Sequence, residues 1–331
     1  MKVILKFLPI LFLPLLWTYG FGADRVRIGY SSITANRLPF WLAQEAGIFN
    51  RHGIDAELLL IPSGTTAVQA LVAGEVQLLT ATGTTAVAAT LRGADLAIVG
   101  SLGVIDYKLV APPRIRTPQD LKGKRVGITR FGSFTDFGSR RVLRFLGLNP
   151  DKDVLLLQTG IAGAAQRLMA MFSGTMDATL TQVDTIFLAQ IKWGKEVQVL
   201  GGLKDTGYRA TGGDIMAGRR YLKDKPDLTR RFLMAIAEGI HLSRTRKDIA
   251  LRILARQLKE DEPRILEAQY KSFVIDAFPT KPYPDEVTVR FSLEELEREF
   301  PGANERNVAQ FIDASFMKAI DQSGFIDKLY R

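Results

Sequence analysis

The sequence predicts an α/β protein of two lobes, each a mostly parallel sheet flanked by helices, joined by a hinge of two crossovers. Three observations predict it. Residues 25–49, RVRIGYSSITANRLPFWLAQEAGIF, read as a short strand through Val26 and Ile28, a Ser/Thr/Asn-rich loop, and an amphipathic helix entered through Pro39. Residues 124–148, KRVGITRFGSFTDFGSRRVLRFLGL, repeat that order. Residues 67–85 also align with residues 164–185, and their stop glycines, Gly74 and Gly174, lie one hundred positions apart. A polar loop between a parallel strand and a helix N-terminus is where α/β proteins hold ligands, because unpaired backbone N–H groups point there. Two such loops, one per half, suggest a ligand clasped between two lobes.

The remaining elements follow from periodicity and punctuation. In the first half an extended apolar stretch, 54–61, leads to Ser63, a plausible N-cap for a helix over 67–73 that Gly74 stops. A strand at 76–79, a polar loop at 82–85, an alanine-rich helix at 86–92 and strands at 97–101 and 107–110 follow. Ala111-Pro112-Pro113-Arg114 then reads as a linker. The second half runs as strand 125–129, helix 137–146, strand 154–157, helix 164–172, strand 176–180, loop 181–184 and strand 197–200. Residues 208–214 are a Gly-rich return, and from 221 onward the chain is mostly helical and repeats nothing earlier. The expected division is therefore 23–112 for the first part of lobe one and 113–209 for lobe two. Residues 210–331 return to lobe one, with the C-terminal helices packed on it.

At 331 residues and 47% apolar content the chain has room for two real cores. Its net charge of +9 falls to +7 beyond residue 22, and the excess is spread over amphipathic helices as a solvated surface. No nucleic-acid-binding motif accompanies it. Residues 1–22 pair Lys2 and Lys6 with an apolar run at 7–17 and small residues at Gly20 and Gly22, the pattern of a secretory signal. The run is short of the ~20 residues a membrane span wants, and Pro9 and Pro14 interrupt it. Export to a periplasm is expected, with an uncleaved anchor as the alternative. The absence of cysteine removes disulfides, a lipobox, thiolate metal sites and a nucleophilic thiol. His52 and His241, the only histidines, lie far apart in sequence and look like neither a metal site nor a catalytic base.

Four phrases carry a resemblance: VRIGYSSITANRLPFWLAQEAGIFNRHGIDAELL, GTTAVQALVAGEVQL, TPQDLKGKRVGITRFGS and LGLNPDKDVLLLQTG, over roughly residues 25–220. With them the chain resembles the periplasmic substrate-binding proteins of ABC importers. The branch is that of nitrate-, taurine- and alkanesulfonate-type receptors and thiamine-precursor-binding proteins (SsuA/THI5-like). The resemblance implies a type II periplasmic-binding-protein fold that closes on a small anionic or zwitterionic solute. It also implies delivery to a membrane permease with a cytoplasmic ATPase, by a monomer with no cofactor and no catalysis. A TRAP-type or sensory receptor is the alternative. A relative of pyrimidine-synthesising enzymes is a weaker one, since their cysteine-rich iron motif has no counterpart here.

In that architecture the loops after strand C-termini meet at a cleft. Lobe one offers Ser31, Thr34, Asn36, Arg37, Ser63, Gly64, Thr65, Thr82, Gly83 and Thr84, and lobe two offers Arg130, Gly132, Ser133, Thr135, Gln182 and Asp184. Hydroxyls donate, glycines let backbone amides approach, and helix N-termini add positive potential, which suits an oxyanion. Arg130, directly after a strand, is the first candidate for a bidentate pair with a planar oxyanion, ahead of Arg37 in mid-loop. Arg130 also reads as a surface residue or as a partner for Asp184. Unpaired, Asp184 favours an amine-bearing solute, and the two together a zwitterion. Trp41, in the first turn of its helix, is placed to stack on a ring or to pack in the core.

Overall fold

In the computed structural model, which describes residues 22–331, the apolar runs assemble into two five-stranded sheets. The first half supplies β1 (Asp24–Tyr30), β2 (Ile54–Leu60), β3 (Leu78–Ala81) and β4 (Leu96–Ser101), then the two-residue β5 (Val104–Ile105). The second half supplies β6 (Tyr107–Ala111), β7 (Arg125–Ile128), β8 (Leu155–Gln158), β9 (Ala178–Gln182) and β10 (Gln198–Gly202), then β11 (Ala210–Thr211) and β12 (Asp214–Gly218). Around them lie α1 (Leu38–Glu45), α2 (Ile48–Arg51), α3 (Gly64–Val72), α4 (Gly83–Leu91), α5 (Phe134–Phe145), α6 (Ala164–Phe172) and α7 (Val183–Trp193). Seven helices complete the chain: α8 (Arg219–Asp224), α9 (Pro226–Thr245), α10 (Lys247–Leu258), α11 (Pro263–Tyr270), α12 (Glu286–Leu296), α13 (Ser315–Gln322) and α14 (Phe325–Leu329). The expected signal segment lies outside the described residues, apart from Gly22.

The sheets have one plan. Their orders, β2-β1-β3-β12-β4 and β8-β7-β9-β6-β10, match position by position. In each, the fourth strand alone runs antiparallel: β12 against β3 and β4, and β6 against β9 and β10. Both are laid down just after the chain crosses between lobes, and the crossing strands β5 and β11 pair with each other through Ile105–Ala210 and Val104–Thr211. That ribbon is the hinge. The repeat expected from Gly74 and Gly174 is equally literal. Each follows its helix with a left-handed φ, 76° and 82°, and donates to the carbonyl three residues back, Leu71 and Met171. The next residues, Glu75 and Thr175, donate five back to Ala70 and Ala170. This is a Schellman stop, which needs a residue tolerant of αL.

The structure corrects three boundaries. The first crossover lies at 102–106, and Tyr107–Ala111 belongs to the second sheet. Pro112-Pro113, having no N–H groups, ends a strand rather than linking two lobes. Helices α3, α4 and α5 begin three residues earlier than expected, so Gly64, Gly83 and Phe134 are already helical. The Gly-Thr-Thr sequences form first turns because their hydroxyls bond locally, as Thr85 Oγ1 does to the Thr82 carbonyl at 2.6 Å. Finally, the C-terminal helices do more than cover lobe one. Phe232 of α9 stacks on Phe49 at 6.0 Å on that lobe. However, Glu295 of α12 receives Arg141 and Arg144 of α5 at 3.2 and 2.6 Å, and Glu260 receives Lys192 of α7 at 2.8 Å. Aromatic packing on lobe one and charge pairing on lobe two thus tie the C-terminal third to both lobes.

Candidate functional site

A cavity of about 70 Å³ lies between the lobes. Ser31, Ser32, Thr34, Arg37, Ser63, Gly64 and Thr82 line it from lobe one. Tyr107, Thr129, Ser133, Phe134, Thr135, Ala162, Ala164, Arg167 and Gln182 line it from lobe two, and Gly212 from the hinge return. The wall follows from strand direction: β1, β3, β7 and β9 all end here, and α3, α4, α5, α6 and α7 start here. Ser63 sits at the N-cap position of α3 but makes no cap bond, and its hydroxyl meets that of Thr65 at 2.8 Å. Its φ of 78° is unusual for a non-glycine residue and stores of order 1 kcal/mol.

Two guanidinium groups dominate the chemistry. Arg37 ends a single 3-10 turn (Ala35–Arg37), is 2% exposed, and donates from Nη1 to Thr80 Oγ1 at 2.7 Å. Arg167, on α6, is 4% exposed and donates to the carbonyls of Ile161, Ala162 and Leu180 at 3.1, 2.9 and 3.3 Å. The Nε of each is buried without a partner. Neither forms an ion pair among the described residues. Burial lowers the pKa of each to about 10, so both stay charged at neutral pH. Asp214, 1% exposed, eases the cost for Arg37 from a distance but is itself engaged by the Gly83 N–H at 2.6 Å and the Thr211 hydroxyl. Burial raises the Asp214 pKa to about 6. Between the arginines, the Tyr107 hydroxyl accepts from Gln182 Nε2 at 3.0 Å, and its ring packs on Phe134 at 4.7 Å.

The residues singled out from the sequence have several different fates. Ser31, Thr34, Arg37, Ser63, Gly64, Thr82, Ser133, Thr135 and Gln182 line the cavity. Asn36 supports it from behind, accepting from the Thr34 hydroxyl and donating to the Gly212 carbonyl. Gly83 and Thr84 serve the hinge, Gly83 through Asp214 and Thr84 through the hydroxyls of Tyr208 and Ser292 at 2.7 and 3.0 Å. Trp41 is core. Thr65, Arg130 and Gly132 border a separate surface groove, and Arg130 is exposed. β7 ends at Ile128, and Arg130 lies in the bend that opens α5, where its N–H donates to Ser133 Oγ at 3.4 Å and its carbonyl accepts from the Ser133 N–H at 3.1 Å. Asp184, in the first turn of α7, lines an adjoining cavity and forms no ion pair with Arg130. Arg167 was not anticipated, yet it carried a signal. Ala164, Arg167, Leu168 and Met171 share the buried face of α6, and an arginine at a core position of that stripe is out of place for packing alone.

Two lobes, a paired-strand hinge and a polar interlobe cavity define a type II periplasmic-binding-protein fold. Solved structures share it. One from Bordetella bronchiseptica RB50 superposes with a TM-score of 0.78 at 19% identity, covering 91% of this chain and 98% of that one. The nitrate-binding protein NrtA of Synechocystis PCC 6803 does so at 0.71, with 14% identity and coverages of 91% and 89%. The aliphatic sulphonate binding protein SsuA of Escherichia coli does so at 0.65, with 21% identity and coverages of 88% and 92%. The model of the NMT1/THI5-like family matches residues 34–246, and the chain belongs to that family. A putative binding protein of Brucella abortus is 32% identical over 133 residues, which span 38% of this chain and 39% of the relative. Among the described residues no helix is long and apolar enough to cross a membrane, and no cluster of His, Asp and Glu could hold a metal ion.

Proposed function

We propose that this chain is a periplasmic solute-binding protein that captures a small organic anion between its lobes. It delivers the anion, without chemical turnover, to an ABC permease driven by a cytoplasmic ATPase. Membership of the NMT1/THI5-like family supports the class. One observation carries the anion: two buried guanidinium groups, one from each lobe, line a single cavity with no counter-charge paired to either. Leaving a charge buried and unpaired costs several kcal/mol, and an anion bound there relieves that cost twice. Because Arg37 belongs to lobe one and Arg167 to lobe two, only the closed arrangement offers both. The ligand therefore binds the closed state better and shifts the population toward it. Hydroxyls of Ser31, Thr34, Ser63, Ser133 and Thr135 add neutral donors around the same anion.

Thermal melts against a panel of sulfonates, carboxylates and inorganic oxyanions test the reading. A ligand at 100 times its Kd stabilises by about 2.7 kcal/mol. That shift is expected to vanish in Arg37→Met and Arg167→Met and to survive in Arg130→Ala, whose side chain lies outside the cavity. A panel with no shift, or a shift that both methionine variants retain, would sink the proposal.

A further inference from the structure

Arg37 and Arg167 line one cavity from opposite lobes, so without a ligand their like charges oppose the approach of the lobes. A contact of opposite sign stands outside the cavity on the same seam. That seam runs from Ser63, Gly64 and Ser133, which line the cavity, to Thr65 and Gly132, which border the surface groove with Glu295 and Arg144. Helix α12 belongs to lobe one. Its Val289, Leu293 and Leu296 share a buried cluster with Ala86 and Val87 of α4, and its Ser292 hydroxyl meets that of Thr84 at 3.0 Å. Helix α5 belongs to lobe two, following β7. Across the seam the Glu295 side chain, 6% exposed, takes Arg141 at 3.2 Å and Arg144 at 2.6 Å. Arg141 is also held by Thr206, at 3.0 Å to the hydroxyl and 3.3 Å to the carbonyl, and lies 5.1 Å from the centre of the Tyr208 ring. The Arg144 side chain has no other partner among the described residues, and its Nε is buried without an acceptor.

We propose that Glu295 is an electrostatic latch: pairing with Arg141 and Arg144 across the seam, it biases the empty protein toward closure and thereby sets the affinity of the cleft. The inference rests on the anion-capture reading and adds a control on that site. An ion pair made only when the lobes meet weights the closed state over the open one by its own interaction free energy. Apparent affinity scales with the fraction of protein already closed. Glu295 therefore acts on the solute through the lobes without touching it, as a positioning residue. The latch and the cavity also respond differently to salt. Glu295 and Arg144 open onto a surface groove, where screening reaches them, whereas the buried charges of Arg37 and Arg167 are screened much less. Rising salt thus loosens the latch and leaves the repulsion inside the cavity in place.

Small-angle X-ray scattering of the ligand-free protein, expressed from the full sequence, provides the test. Glu295→Gln, and separately Arg144→Gln, should enlarge the radius of gyration at low salt. The wild type should expand toward the same value as salt rises from about 0.05 M to about 1 M, while the variants stay nearly constant. Transposing the charges, Glu295→Arg with Arg144→Glu, keeps the net charge and should restore the compact form. Any member of the oxyanion panel that binds the wild type should bind Glu295→Gln about fivefold more weakly, with Arg37 and Arg167 unaltered. Equal radii in wild type and variants at every salt concentration would overturn the latch. So would an expansion that the transposed pair fails to reverse, or unchanged affinity in an expanded variant. The scattering needs no ligand, so a panel in which nothing binds removes anion capture while the radii still decide the latch.

Discussion

Arg37→Met should make the empty protein more stable while abolishing its response to ligand. The guanidinium is fully buried, and its pKa falls from the ordinary arginine value to about 10 because burial outweighs the help from Tyr107, Asp214 and Tyr30. That depression corresponds to about 3 kcal/mol against the charged form in the fold. For a cation with a lowered folded pKa, the cost is present in full below pH 10 and is relieved only as pH rises from 10 toward the ordinary arginine value, so at neutral pH it is complete. Methionine fills much of the same volume without the charge. The loss is one charged hydrogen bond, to Thr80 at 2.7 Å, which leaves a buried hydroxyl to re-pair at about 1–2 kcal/mol. The net gain of about 1–2 kcal/mol raises the apo Tm by about 2–4 °C. With a saturating ligand the order should invert, since the wild type gains about 2.7 kcal/mol at 100 Kd and the variant gains nothing. Scanning calorimetry of both proteins, with and without ligand, reads all four values. An apo variant less stable by more than 1 kcal/mol, or one still stabilised by the ligand, would refute the view of Arg37 as an unpaired charge awaiting an anion.

Three further outcomes follow from the same geometry. Burial raises both Asp184 and Asp214 to about 6, so each is a destabilising carboxylate above that pH. Stability from these two groups rises as pH falls from 7 to 5, by about 1 kcal/mol each, and Asp214→Asn should remove half of the rise in apo melts. A steady decline in Tm between pH 7 and 5 would contradict this. Glu295→Gln strips the counter-charge from Arg141 and Arg144 and should cost about 1–3 kcal/mol in urea unfolding, less than for a fully buried pair because both arginines are partly exposed. Gly74→Ala and Gly174→Ala should each lose about 1 kcal/mol through the left-handed φ alone, since open space surrounds both positions. Unequal losses would undercut the equivalence of the two stops.

Much of the fold was legible because it is repeated and local. The strand–loop–helix unit, its copy and the αL stops depend on periods of 2 and 3.6 and on glycine at one position, all of which a linear chain displays. Element ends were less legible. Pro112 looks the same whether it closes a strand or links two lobes, and only the pairing of Tyr107–Ala111 with β9 and β10 tells them apart. The site was legible as loops and not as residues. One step along the bend after β7 separates Thr129, inside, from Arg130, outside, and nothing local says where the strand will end.

The sequence by itself determined a duplicated α/β chain with polar helix starts gathered at strand ends, because hydrophobic period and turn chemistry act over a few residues. Tertiary structure decided which charges matter. Arg37 and Arg167 are 130 positions apart, and each taken alone is an unremarkable basic side chain. They become a site only when closure strips water from both, a long-range effect of packing that no local pattern encodes.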